Sequence, residues 1–150
     1  MASAAEILRR LDSVTKITTL REMVYEEIKA EEEGLKVIKE QEYLDGDIYS
    51  NGRKSLYSNE DYAEYKYVKN KRAGFGNVDL INTGSFLESF RLNKPNKNIY
   101  KWGATDKKRN ILVEMYGEGI MGMSQEAFEK FQLEVIKPRF VKKLQRAITG

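Results

Sequence analysis

Four apolar residues recur at helical spacing near the start of the chain: Ile7, Leu8, Leu11 and Val14. This spacing places them on one face and predicts a short helix from about Ala4 to about Val14. Ser3 and Glu6 have the spacing of a capping box, in which each side chain bonds the other residue's backbone N–H group. The first element of the chain is therefore expected to be a helix.

A second, longer helix is predicted from a second capping box at Thr19 and Glu22. Its apolar stripe consists of Leu20, Met23, Val24, Ile28, Leu35 and Ile38. Gly34 destabilises a helix by about 1 kcal/mol relative to alanine, so the pattern allows a kink or a break there. Glutamates cover the rest of this helix, and a solvated face explains them better than a cation site.

The helical pattern ends between residues 43 and 57, where Asp-Gly at 45–46 and Asn-Gly at 51–52 are turn dipeptides. These turns predict either a hairpin or a projecting loop. A calcium-binding loop is excluded because the acid required at its twelfth position is absent. A further helix is predicted from a cap at Ser58 to about Lys71.

A sharp corner is predicted between residues 79 and 90. A short apolar run stops at Asn82, Thr83 and Gly84 and resumes on a new register two residues later. Asn and Gly adopt turn and left-handed conformations at low cost. A hydroxyl at Thr83 or Ser85 can cap the next element. We therefore assign Asn82, Thr83 and Gly84 as a structural corner with a buried element on each side.

A β-hairpin is predicted after the corner, because residues 90–93 and 99–103 alternate between apolar and polar side chains. The turn is assigned to residues 94–98, where Pro95 would not interrupt a strand. A helix capped by Thr105 or Asp106 is predicted to follow.

The last third of the chain begins with a loop at 117–123 that contains three glycines and three large apolar residues, Ile120, Met121 and Met123. Such residues either tuck under the fold or dock on a neighbouring protein. Ser124 is expected to cap the final helix. Pro138 should kink or split that helix near Ile136, because proline removes a backbone N–H group.

Together these patterns predict an α+β fold with N-terminal helices, a small antiparallel β-sheet around residues 86–103, and a long kinked C-terminal helix packed on it. A chain of 150 residues is expected to form a single domain. Within residues 1–150 we distinguish a helical N-terminal part (1–42), a loop and helix (43–78), and a core of sheet and C-terminal helices (79–150).

Composition narrows the chemistry that this chain can perform. It contains no Cys and no His, which excludes thiol nucleophiles, disulfides, Cys/His zinc sites and histidine bases. The sequence also lacks a glycine-rich phosphate loop, a nucleophile elbow and metal-ligand spacing. We therefore expect no enzyme activity, no catalytic residue, no cofactor and no metal.

The sequence predicts an intracellular protein without a membrane partner. No apolar run approaches the roughly 20 residues that a spanning helix needs. The first residues lack the basic-then-apolar order of a secretory signal.

The net charge of +3 is unevenly distributed along the chain. Residues 1–50 hold 7 Lys/Arg and 12 Asp/Glu, a net −5, whereas residues 51–150 hold 19 and 11, a net +8. Opposite charges at the two ends favour head-to-tail packing of identical copies or contact with nucleic acid. Solvated helix faces explain the same distribution equally well.

Six of the nine tyrosines lie between Tyr43 and Tyr67, interleaved with Lys and Arg. Aromatic rings next to cations are typical of platforms for single-stranded nucleic acid. They are also typical of protein–protein interfaces, and we favour this second interpretation. The candidate interface consists of eight residues: Tyr49, Tyr57, Tyr62, Tyr65, Lys66, Ile120, Met121 and Met123.

The order of these signals resembles that of phage head–tail connector and tail-completion proteins of the virion-morphogenesis type. The segments that carry the resemblance are residues 41–47 (Gln-Glu-Tyr-Leu-Asp-Gly-Asp) with Asn-Gly at 51–52, residues 62–66, residues 80–86 (Leu-Ile-Asn-Thr-Gly-Ser-Phe) with Ser-Phe at 89–90, residues 106–108 (Asp-Lys-Lys), and residues 116–124. They cover about the last two thirds of the chain. In such proteins a Thr-Gly corner leads into a small antiparallel sheet on which a long helix packs.

The chain is similar in this respect to neck ring proteins of crAss-like phages, which infect Bacteroidetes. It departs from the usual pattern at residues 119–123 (Gly-Ile-Met-Gly-Met), which replace a Pro-Arg-Pro-Phe-like segment near the C-terminal helix. The resemblance therefore indicates a neck protein without indicating the ring layer.

The resemblance implies a structural virion protein without catalytic residues, assembled in the host cytoplasm. Identical copies would close into a homo-oligomeric ring between the portal or adaptor and the tail proteins. In that ring the acidic long helix would meet the basic half of its neighbour. Basic residues facing the lumen would contact exiting DNA through phosphates alone.

Two other functions are weighed against this one. A small nucleic-acid-binding protein would use the Tyr/Lys-rich segment and depend on Tyr62, Tyr65 and Lys66. An enzyme would need a pocket with reactive groups, which the sequence does not indicate.

Overall fold

Three helices form the N-terminal part of the protein in a computed structural model that describes residues 2–96 and 99–150. They are α1 (Ala4–Thr15), α2 (Ile17–Ala30) and α3 (Glu32–Leu44). Ser3 Oγ accepts a hydrogen bond of 3.2 Å from Glu6 N, which confirms the first predicted cap. The predicted cap at Thr19 is wrong, because α2 begins two residues earlier, after the extended backbone of Lys16.

The long helix predicted from Thr19 breaks at Glu31, three residues before Gly34. Gly34 lies inside α3, where an added Cβ atom would stand 3.2 Å from a ring carbon of Phe131. Few real Cβ contacts are this short. The missing side chain at Gly34 therefore lets the C-terminal part of the chain approach α3 closely.

The fourth helix, α4, spans Glu60–Lys69 and is followed by a short 3-10 turn, Lys71–Ala73. Asn59 caps α4 in place of the predicted Ser58, and its Oδ1 accepts from Tyr62 N at 2.9 Å. The preceding loop pairs with a distant segment, because Leu56 and Asn77 form an isolated antiparallel bridge. The tyrosine-rich region is thereby tied to the chain just before the corner.

The corner leads through a short helix into a hairpin. The elements are α5 (Ser85–Glu88), β1 (Phe90–Asn96) and β2 (Ile99–Ala104), and the two strands pair antiparallel. The register places Phe90 opposite Ala104 and shifts between Asn93 and Asn96. The hairpin confirms the predicted sheet.

The turn of this hairpin was assigned to residues 94–98. Pro95 instead lies within β1, in the stretch where the register shifts. An irregular strand end tolerates a residue that lacks a backbone N–H group. The assignment is therefore wrong for residues 94–96, and Lys97 and Asn98 lie outside the described residues.

The C-terminal third is helical and bent. Its elements are α6 (Arg109–Tyr116), a 3-10 turn (Glu118–Met121), α7 (Gln125–Phe131), a π-helical segment (Gln132–Ile136) and α8 (Lys137–Thr149). Ser124 Oγ accepts from Ala127 N at 3.1 Å, which confirms the predicted cap of the final helix.

Pro138 lies in the first turn of α8, where its missing N–H group is tolerated. The predicted kink near Ile136 takes the form of the π-helical segment that ends there. The predicted cap of α6 is wrong, because that helix begins after Lys108. Asp106 Oδ1 accepts from Lys108 N at 2.8 Å and so stabilises the preceding turn.

Two clusters of buried side chains hold these elements together. The first contains Tyr43, Ile48, Val78, Phe86, Leu87, Phe90, Ala104, Ile120 and Met121. The second contains Ile28, Leu35, Leu92, Phe131 and Ile136. Phe90 and Leu92 occupy successive inward positions of β1 and belong to different clusters, so the hairpin joins the two. The mostly helical α+β fold is thus confirmed.

The last helix, α8, packs on α1 and α2. Arg139 Nε lies 2.8 Å from Glu27 Oε2, and Arg139 also pairs with Glu31. Lys143 pairs with Glu26. These acids and bases were expected to meet across neighbouring copies, whereas the structure pairs them within one chain.

None of the helices in residues 2–96 and 99–150 combines the length and apolar character needed to cross a membrane.

Candidate interaction groove

The corner faces an open groove of about 590 Å³, a volume within the range of ligand pockets. Its walls come from the segment before α4, from α4, from the corner, and from α6. The lining residues are 55–59, Tyr62, Lys66, Val78, residues 80–86, Lys108, Leu112, Met115 and Tyr116. The groove therefore joins the predicted corner to three of the predicted interface residues, Tyr57, Tyr62 and Lys66.

Gly84 produces the corner by adopting a left-handed backbone conformation, with φ 85° and ψ −7°. A side chain is disfavoured in this region, which explains why glycine stands there. The predicted hydroxyl cap is present only in weak form: Thr83 Oγ1 accepts from Ser85 N at 3.4 Å. Asn82 is exposed at the rim of the groove.

Leu80 also has a positive φ, 57°, which is uncommon for a residue with a side chain. The neighbouring carboxylate supports it, because Asp79 Oδ1 accepts from Ile81 N at 2.9 Å. Sequence patterns did not indicate this second left-handed position. Two left-handed residues, Leu80 and Gly84, therefore shape the wall that leads into the corner.

A buried ion pair lies behind the groove. Lys66 Nζ is 2.8 Å from Asp79 Oδ1, and the side chains are 7% and 3% exposed. Lys66 also donates to the carbonyl of Ile81. Asn70 Nδ2 donates to Asp79 Oδ2 at 3.0 Å, so both carboxylate oxygens have partners. Lys66 was predicted at an interface, but its ammonium group is used inside the protein.

Tyr57 connects this pair to the groove, since its hydroxyl lies 3.5 Å from Asp79 Oδ1. Burial raises the pKa of Tyr57, and the negative charge of Asp79 adds to the effect. Burial also raises the pKa of Tyr116. Both phenols therefore keep their protons at neutral pH.

The tyrosines of this region form a contiguous cluster. The rings of Tyr57 and Tyr62 meet edge to face with centroids 5.0 Å apart, and Tyr62 and Tyr65 are 6.0 Å apart. Lys69 Nζ lies 5.6 Å from the centroid of the Tyr65 ring. Tyr62 and Tyr65 are 42% and 52% exposed, so this edge of the cluster faces solvent.

The other predicted interface residues lie elsewhere. Ile120 and Met121 are 0% and 6% exposed and belong to the first core cluster. The sequence predicts that this loop either tucks under the fold or docks on a neighbouring protein. Ile120 and Met121 tuck under the fold. Tyr49 is half-buried, and an added Cβ at Gly119 would stand 3.4 Å from its ring. Met123 is half-buried against the second cluster.

A second polar cluster, absent from the sequence predictions, surrounds Lys39 in α3. Its side chain is 0% exposed, and Nζ donates to Ser50 Oγ at 3.0 Å and to the carbonyl of Gly122. Glu42 Oε1 accepts from Ser124 N at 3.0 Å. Burial lowers the pKa of Lys39 to about 8, although Glu42 opposes this shift. The cluster fastens two loops to α3.

Among the residues that the structure describes, no group of three or more Asp, Glu, His or Cys side chains is arranged to hold a metal ion. Protein-family models, curated proteins and solved structures provide no match to this chain.

Proposed function

We propose that this protein is a structural virion component that forms a homo-oligomeric ring in the head–tail connector of a tailed phage. One observation carries the proposal: four of the segments that carry the sequence resemblance, at residues 62–66, 80–86, 106–108 and 116–124, each contribute at least one residue to one groove. An interface needs its residues on one surface, and the fold brings these segments together there although they are far apart in sequence.

The rim of the groove supports an interface more than a reaction centre. Leu56, Tyr62 and Met115 are 71%, 42% and 65% exposed where they border the groove. Clustered exposed apolar and aromatic side chains are typical of protein-binding surfaces. The charged pair behind the groove is buried, and each of its members makes a further hydrogen bond, which suits a structural role.

In this proposal the subunit contacts further copies of itself, the portal or adaptor, and tail proteins. Besides Arg139, which pairs with Glu27 and Glu31, three basic residues of α8 are exposed: Lys137, Lys142 and Arg146. If α8 lines the ring, these residues would contact DNA phosphates without reading base sequence.

A nucleic-acid-binding function is the competing proposal. The exposed Tyr62 and Tyr65 rings with Lys69 could stack bases. However, Lys66 is buried against Asp79 and cannot contribute to phosphate binding in this conformation. The competing proposal thereby loses one of the three residues on which it depended.

The test is native mass spectrometry of the purified protein over a range of concentrations, at two salt concentrations, with and without single-stranded oligo(dT). The proposed function predicts a discrete large homo-oligomer and little binding to oligo(dT). A protein that stays monomeric at every concentration contradicts a ring built from this chain alone. A monomer that binds oligo(dT) tightly at low salt and releases it at high salt favours the competing proposal.

A further inference from the structure

One end of the groove carries a small polar site at the start of α5. Lys108 Nζ lies 3.5 Å from Ser85 Oγ, and Thr83 Oγ1 lies 3.1 Å from the same oxygen. An ammonium and two hydroxyl groups supply more hydrogens than these contacts use. Donors in excess of acceptors favour an anionic group, and a carboxylate accepts from Lys and Ser with good geometry.

The charges along the groove agree with this assignment. Among the residues that the structure describes, two lysines and no acidic side chain line it. Lys66 is neutralised by the buried Asp79, so Lys108 is the remaining cation of the lining. Its ammonium group has no acidic partner among the described residues. The groove therefore offers one uncompensated positive charge.

Apolar and aromatic side chains line the middle of the groove, beside the polar residues Ser55, Ser58, Asn59 and Asn82. Tyr57, Tyr62, Leu112 and Met115 form its sides, and the rings of Tyr57 and Tyr62 are already packed together. The corner wall is shaped by the hydrogen bond from Ile81 N to Asp79 and by the left-handed turn at Gly84. A preformed groove binds an extended chain at a lower entropic cost than a flexible surface would.

We propose that this groove binds an extended peptide segment of a neighbouring virion protein, in which large apolar side chains pack on the tyrosines and one carboxylate bonds to Lys108 and Ser85. The proposal rests on the proposed function and names the kind of partner that this surface recognises. Nucleic acid fits less well, because a polyanion would find one lysine without an acidic partner in the lining, and two acidic residues, Glu60 and Asp61, directly follow the lining residue Asn59.

The experiment is a titration of the ¹⁵N-labelled full chain, followed by amide chemical shifts. The probes are three pools of amidated octapeptides that combine Leu, Ile and Phe with one acidic residue, with Gln in its place, or with Lys in its place. We expect the acidic pool to shift the amides of Thr83, Ser85 and Lys108 and to bind at least tenfold more tightly than the Gln pool. Equal binding of the acidic and Gln pools, or no shifts in the groove, overturns the proposal.

Variants locate the contact. Lys108→Glu should abolish the preference for the acidic pool and favour the Lys pool, and Met115→Asp should weaken binding of every pool. Lys101→Glu is the matched control, because Lys101 lies on a separate polar surface and should leave binding unchanged. Shifts in the groove caused by oligo(dT) and by no peptide pool would assign the groove to nucleic acid and overturn the proposal.

The same samples separate this inference from the ring itself. Ring formation is read by native mass spectrometry, and peptide binding by chemical shifts. Rings without peptide binding overturn the peptide groove alone. Peptide binding by a protein that never forms rings contradicts the ring and leaves the groove supported.

Discussion

Lys66 Nζ lies 2.8 Å from Asp79 Oδ1 in a place where the two side chains are 7% and 3% exposed. The pair joins α4 to the segment that leads into the corner, and both partners make further hydrogen bonds. Removing one partner of such a pair leaves an uncompensated charge in the interior. The pair therefore helps to hold α4 and its tyrosines against the segment that leads into the corner.

The first prediction is that Lys66→Met lowers the free energy of unfolding by about 3–5 kcal/mol, because Asp79 is left buried without its counter-ion. A second substitution, Asp79→Leu, removes the stranded charge and should recover part of this loss. Both free energies are measured by urea denaturation with two optical probes.

Arg72→Gln provides the matched control for this prediction. Arg72 and Asp45 are also 2.8 Å apart, but both side chains are about half exposed. Solvent screens such a pair, so its loss should cost less than about 1 kcal/mol. A loss from Lys66→Met no larger than that from Arg72→Gln would contradict a structural role for the buried pair.

The second prediction concerns the corner. At Gly84 φ is 85°, and no atom of the described residues, apart from the two neighbours of Gly84, lies within 4 Å of the position that a Cβ atom would take. A substitution therefore meets backbone strain without a steric clash. Gly84→Ala should cost about 1–2 kcal/mol, and Gly84→Val more, because β-branched side chains tolerate this region least. The melting temperature measures both effects.

Gly122→Ala is the control for the corner variants, since Gly122 has φ −65°, a value that any residue adopts. It should change the melting temperature much less than Gly84→Ala does. If Gly84→Val folds with unchanged stability and assembles normally, the corner does not have the structural role assigned to it.

Local signals in the sequence predicted the corner and most of the elements. Gly84 was identifiable because a left-handed residue in a turn is a local requirement. Ser3 and Ser124 were identifiable as caps because a cap bonds a backbone group only three residues away. The hairpin followed from the alternation of side chains on its two strands.

The buried polar groups could not be predicted in the same way. Lys39 and Lys66 lie on helices rich in charged residues, where spacing alone suggests exposure. Lys39 is buried because Gly122, 83 positions away, closes over it. Lys66 is buried because the segment that contains Asp79 packs beside α4. Both depend on tertiary contacts that no local pattern contains.

The third prediction follows from Lys39. Burial lowers its pKa from 10.5 to about 8, against the influence of Glu42 and Asp47. Between these two values the unfolded chain binds more protons than the folded chain, so this residue's contribution makes stability rise with pH. Between pH 8 and pH 10 the contribution of Lys39 to the free energy of unfolding should rise by about 2 kcal/mol.

The measurement compares the wild-type protein with Lys39→Met, because groups that titrate in both proteins largely cancel. The free energy of unfolding of the wild type, relative to that of the variant, should rise by about 2 kcal/mol between pH 8 and pH 10. Lys39→Gln also lacks the titrating group and should show the same pH dependence as Lys39→Met. A constant difference across this range would mean that Lys39 keeps an ordinary pKa.

The fourth prediction tests whether the charges of α2 and α8 pair within one chain. Arg139→Glu places a third carboxylate beside Glu27 and Glu31 and should lower stability by about 1–2 kcal/mol, a modest value because Arg139 is 44% exposed. Adding Glu27→Arg should restore part of the loss. Lys142→Glu, an exposed change on the same helix, should have little effect. Pairing within the chain predicts that the differences between these melting temperatures do not depend on protein concentration. If Glu27→Arg restores more stability at higher protein concentration, the contact lies between copies, because mass action then stabilises the paired state.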